Sequence, residues 1–83
     1  MTDLFDRMRQ NPQGDWTITD VEKLCRTYDV RCEPPRGGGS HYKIYHQEMA
    51  DILTVPFKRP IKAVYIRKLI AFVAQVRNNH GPA

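Results

Sequence analysis

Val30-Arg31-Cys32-Glu33, His41-Tyr42-Lys43-Ile44-Tyr45-His46 and Asp51-Ile52-Leu53-Thr54-Val55 are three short runs that read as β-strands. The first alternates apolar and polar residues and is closed by Pro34-Pro35. Gly37-Gly38-Gly39 leads into the second, Gln47-Glu48-Met49-Ala50 makes the next turn, and Pro56 stops the third. Sequential strands with short connections pair as an antiparallel meander. Successive side chains on a strand point to opposite faces. His41, Lys43 and Tyr45 therefore share one face of the second strand, and Tyr42, Ile44 and His46 share the other.

Helical patterns flank the strands. Leu4, Phe5 and Met8 fall on one side of a short helix that Thr2 can cap and Asn11-Pro12-Gln13-Gly14-Asp15 ends. Thr19-Asp20-Val21-Glu22 has the form of a capping box. Val21, Leu24, Cys25 and Tyr28 follow at i, i+3, i+4 and i+7, predicting an amphipathic helix over residues 20–29. Near the end, Ile66, Leu69, Ile70, Val73 and Val76 form an apolar stripe, widened by Tyr65 and Phe72, that predicts a helix over residues 63–76. Residues 77–83 read as a flexible tail. The expected fold is a single α+β domain of order α-α-β-β-β-α. Its helices cover one face of a three-stranded antiparallel sheet, leaving the face with His41 and Lys43 open.

Eighty-three residues suit one domain with a modest core. No apolar run approaches the roughly 18–20 residues that span a bilayer, and the acidic, mixed start does not resemble a signal peptide. A soluble cytoplasmic protein with no membrane partner is expected. Cys25 and Cys32 are too few for a disulfide framework or a four-ligand zinc site and read as free thiols. The charge is divided unevenly. Residues 1–35 carry five Lys/Arg against seven Asp/Glu, a net of −2, whereas residues 36–83 carry eight against two, a net of +6. The basic half begins at the glycine loop, and such asymmetry favours a polyanionic partner.

The loop Arg36-Gly37-Gly38-Gly39-Ser40-His41 delivers an imidazole to the start of a strand between Arg36 and Lys43. Glycines let a backbone take positive φ and approach another molecule closely. Histidine is the side chain suited to moving protons near neutral pH. Cations around a histidine suit phosphate-ester chemistry, and RNA is the obvious phosphate ester. No Gly-Lys-Ser/Thr follows the glycines and a strand comes next, which argues against a nucleotide-binding P-loop. His41 and His46 sit five residues apart, on opposite faces, so they do not share a metal ion without a bulge. No carboxylate cluster offers a hard-cation site. Catalysis without a metal or other cofactor is expected.

The ordered set Gly38-Gly39-Ser40-His41-Tyr42-Lys43-Ile44, Leu53-Thr54-Val55-Pro56 and Arg59-Pro60-Ile61-Lys62 before a closing helix resembles the HicA family. Those proteins are mRNA interferase toxins of bacterial toxin–antitoxin pairs, on a fold similar to the double-stranded RNA-binding domain. The resemblance covers roughly residues 17–76. It implies that His41 is the catalytic histidine, that mRNA is the substrate, and that a HicB-type antitoxin protein is the partner that blocks the site. Residues 1–16 are an amino-terminal extension that the shortest members of the family lack.

RNA carries its own nucleophile in the 2′-hydroxyl. A nuclease therefore needs a proton-transfer group, which His41 supplies, and cations for the phosphate. Lys43 is placed to stabilise charge on the phosphate oxygens. Arg36, Arg59 and Lys62 are candidates to hold the RNA backbone, and Tyr45 to stack on an unpaired base. Ser40 either orients the imidazole or shapes the turn. Two other readings fit the basic half: a non-catalytic RNA-binding module, and an interaction domain whose basic surface meets an acidic protein.

Overall fold

The computed structural model describes residues 3–79. Helices α1 (Leu4–Gln10) and α2 (Ile18–Thr27) precede strands β1 (Arg31–Glu33), β2 (His41–Tyr45) and β3 (Leu53–Pro56), and α3 (Ala63–Asn79) closes the chain. The sheet is a three-stranded antiparallel meander with β2 in the centre. Among the described residues no helix is long and apolar enough to cross a membrane.

Register decides which side chains meet. Cys32 pairs with Ile44, and Ile44 with Leu53, while Tyr42 pairs with Val55. This set faces the helices, and Ile44 and Val55 are fully buried. The α3 stripe meets them as its spacing predicts, with Ile66, Leu69, Val73 and Val76 all inaccessible and Phe72 nearly so. Leu24 and Val21 of α2 complete the layer. Burying each such aliphatic side chain stabilises the fold by about 1.5–3 kcal/mol.

The helix ends differ from the sequence pattern in instructive ways. Thr2 lies outside the described residues, and Asp3 caps α1, its Oδ1 accepting from the Asp6 N–H at 2.9 Å. Helix α2 starts two residues earlier than its pattern suggests, because the capping box is Thr17 with Asp20 rather than Thr19 with Glu22. Asp20 Oδ2 accepts from both the Thr17 N–H (2.9 Å) and the Thr17 hydroxyl (3.0 Å). At its other end Asp29 takes φ +59°, and the Val30 N–H donates back to Cys25 O at 2.8 Å. That is a left-handed helix stop of the kind usually given to glycine.

Strand β3 begins at Leu53 rather than Asp51, since its pairing with Ile44 starts there, and Ile52 is left 64% exposed. It includes Pro56, which a sheet tolerates on an edge strand because proline has no N–H to pair. Helix α3 runs three residues past Val76. Arg77 holds that last turn by stacking its guanidinium 4.5 Å from the Phe5 ring and 5.4 Å from Tyr28. The amino-terminal segment is likewise built into the core: Phe5, Met8 and Trp16 are buried, and Trp16 O accepts from the Ile61 N–H at 2.9 Å.

Candidate active site on the open sheet face

The face of the sheet turned away from the helices carries Arg31, Glu33, His41, Lys43 and Thr54, all exposed, with Tyr45 half-buried. At one end of it the loop between β1 and β2 forms a cleft of about 570 Å³ lined by Glu33, Pro35, Arg36, Ser40, His41 and Lys43. Each wall has a local cause. Lys43 and His41 project from the same face of β2, two residues apart. Glu33 stands directly across from Lys43 in the β1–β2 register. Arg36 enters from the loop.

The three glycines serve this loop differently. Gly37 (φ +62°) and Gly38 (φ +84°) hold left-handed backbone, where a side chain would be strained although nothing crowds it. At Gly39 a Cβ would lie 3.0 Å from the Pro35 Cβ. The loop thus passes close over the second proline, which brings Ser40 and His41 to the strand's start. The Phe57 N–H donates to Ser40 O at 3.3 Å and ties that point to the end of β3.

Ser40 Oγ and His41 Nδ1 are hydrogen-bonded at 2.9 Å. This contact engages one ring nitrogen and leaves Nε2 as the nitrogen for a substrate. An imidazole held at Nδ1, open at Nε2 and flanked by a guanidinium and an ammonium can pass a proton to or from a phosphate ester.

The residues singled out in the sequence separate into two groups. Arg36, Ser40, His41 and Lys43 come together in the cleft. Tyr45 lies on the same face, farther along β2 and across from Arg31. Its phenol is pushed above the usual tyrosine range, first by a hydrogen bond with Glu33 and then by burial. Arg59 and Lys62 do not line the cleft. Arg59 is clamped to Asp15 by two bonds, Nε to Oδ1 at 3.1 Å and Nη2 to Oδ2 at 2.6 Å. Lys62 sits before α3, where its carbonyl accepts from the Tyr65 and Ile66 N–H groups.

His46 is buried behind the sheet, its Nδ1 accepting from the Glu48 N–H at 3.1 Å. It shapes the β2–β3 turn, away from His41. Among the described residues no group of three or more His, Cys, Asp or Glu is placed to hold a metal ion. Sequence reading missed Glu33. Its signal was the parity of β1, which sets Glu33 on the open face once the hairpin closes, but only the register shows it opposite Lys43.

No protein-family model matches the chain, and no curated protein or solved structure does either.

Proposed function

We propose that this protein is an endoribonuclease that cleaves single-stranded RNA, with His41 as its proton-transfer residue. The observation that carries the reading is the cleft itself. It gathers an exposed histidine, fixed at Nδ1 by Ser40, with Arg36 and Lys43 on an open sheet face. Arg36 and Lys43 bind and neutralise phosphate oxygens, and electrostatic support of this kind is worth most where charge develops in the transition state. His41 moves a proton at a sugar oxygen. The RNA 2′-hydroxyl supplies the nucleophile, so the chain need not.

The resemblance of the motif set to that of HicA toxins supports a narrower reading. In it the substrate is mRNA, the fold is of the double-stranded RNA-binding type, the protein acts in the cytoplasm without a metal, and a HicB-type antitoxin covers the cleft. The accessible His41 suits control by a covering partner, because among the described residues nothing shields it.

The test compares wild type with His41→Ala on a mixed-sequence single-stranded RNA, with and without EDTA. Cleavage by wild type in both conditions, lost by a factor of about 10²–10⁴ in the variant, supports the reading. Equal cleavage by a folded His41→Ala protein refutes it. RNA binding without cleavage by wild type would favour the non-catalytic RNA-binding module.

A further inference from the structure

We propose that Glu33 is the second catalytic residue of the cleft: its carboxylate takes the proton from the RNA 2′-hydroxyl while His41 gives one to the leaving 5′-oxygen. This inference rests on the nuclease reading and adds a division of labour to it.

Cleavage of RNA by its own 2′-hydroxyl needs two proton transfers, on opposite sides of the phosphorus. The O2′–P bond forms as the P–O5′ bond breaks. One group must accept the proton from O2′ and another must supply a proton to O5′. The products are a 2′,3′-cyclic phosphate and a 5′-hydroxyl, with no water consumed. A single imidazole serves one side at a time. The cleft provides one further proton acceptor of suitable chemistry, since its remaining side-chain heteroatoms belong to Arg36, Ser40 and Lys43.

The geometry fits. Glu33 pairs across the strands with Lys43, and His41 is two residues from Lys43 on the same face. Glu33 and His41 are thus diagonal neighbours, whose Cβ atoms stand about 7–8 Å apart or slightly less in an antiparallel pair. Two side chains at that separation can flank one ribose-phosphate unit. Lys43 neighbours both, directly across from Glu33 and two residues along β2 from His41, within reach of a phosphate held by the pair.

A solvated carboxylate in a cationic cleft repels phosphate and weakens binding, so its placement there calls for a reason. An ion pair with Lys43 would be the plain one. The ion pairs found among the described residues are instead Arg9–Asp6 and Arg59–Asp15. Tyr45 stands diagonally across from Glu33, on the other side of Lys43 from His41, and Lys43 is left for the substrate.

The experiment uses the full chain and begins by mapping a bond that wild type cleaves. Two oligonucleotides carrying that bond are then compared, one natural and one with sulfur replacing the 5′-bridging oxygen. A thiolate leaves without protonation. On the natural RNA both Glu33→Gln and His41→Ala should be slower by roughly 10²–10⁴-fold. On the sulfur-bridged RNA His41→Ala should come within about tenfold of wild type, whereas Glu33→Gln stays slow. Glu33→Asp should keep part of the activity, and thermal melts of each variant confirm folding. Glu33→Gln cleaving natural RNA at the wild-type rate overturns the assignment, as does sulfur rescue of Glu33→Gln instead of His41→Ala. Failure of wild type to cleave any RNA is a different result: it removes the nuclease reading itself.

Discussion

Ser40 Oγ lies 2.9 Å from Nδ1 of His41, one residue along the chain. A bond between sequence neighbours at a strand's start fixes the ring only if the backbone there is fixed, and the Phe57 N–H to Ser40 O bond supplies that. Ser40 therefore positions the imidazole through Nδ1, and the nuclease reading assigns Nε2 to the substrate. Ser40→Ala should lower kcat by about tenfold, within the roughly 10²-fold that misalignment costs. KM should stay near the wild-type value. Nitrogen NMR of the His41 ring should show the tautomer mixture change, which a loosened loop alone would not produce.

Arg36 and Lys43 face the cleft, whereas Arg59 is engaged by Asp15. The three cations should therefore separate by salt dependence. With single-stranded RNA each phosphate contact contributes about −0.7 to the slope of log K against log salt. On a His41→Ala background, Arg36→Ala and Lys43→Ala should each flatten that slope by about this amount. Arg59→Ala should leave the slope unchanged. Fluorescence anisotropy across a salt series measures all three. Equal flattening by Arg59→Ala would show that the RNA path reaches the α3 end of the molecule.

Cys25 is buried and Cys32 half-buried, both as free thiols, and their mutual interaction moves the two in opposite directions. It lowers Cys32 from the ordinary thiol range, and with burial it raises Cys25 far above that range. Thiolate is the reactive form. Iodoacetamide should therefore modify Cys32 first, at a lower pH than an ordinary cysteine needs, and Cys25 only on unfolding. Mass spectrometry of the labelled peptides over a pH series reads this directly. Cys25 reacting first would contradict the arrangement.

Thr17 rather than Thr19 caps α2, and the two frames are separable by mutation. Thr17→Ala removes a hydroxyl that accepts from the Asp20 N–H and donates to its carboxylate. It should cost about 1 kcal/mol, the usual loss for a cap. Thr19→Ala lies inside the helix and should be close to neutral or slightly stabilising. Urea melts of both variants decide between the frames.

The cap shows why some features were legible in the chain and others were not. Two overlapping Thr-x-x-Asp/Glu frames are equally good as local chemistry. The choice between them depends on packing that sequence spacing does not describe. Periodicity did locate the strongest elements. The α3 stripe and the alternation of β2 mark residues that either reach the core or face water, and their burial follows the spacing. Elements ended by tertiary contacts were misjudged at that end. Arg77 extends α3 because Phe5 and Tyr28 receive it, and Ile52 leaves β3 because Ile44 pairs first with Leu53. The site divides similarly. The local run Ser40-His41 was readable, whereas Glu33 enters by register and Arg59 leaves by its pairing with Asp15.

The outer strands also limit how other polypeptides can join the sheet. β1 offers three residues and β3 ends in Pro56, which has no N–H to give. Short or proline-bearing borders make poor templates for a fourth strand and discourage self-association through the backbone. A protein inhibitor that silences His41 should therefore lie flat across the strands and recognise side chains. The resulting contact would compete with RNA for the same surface.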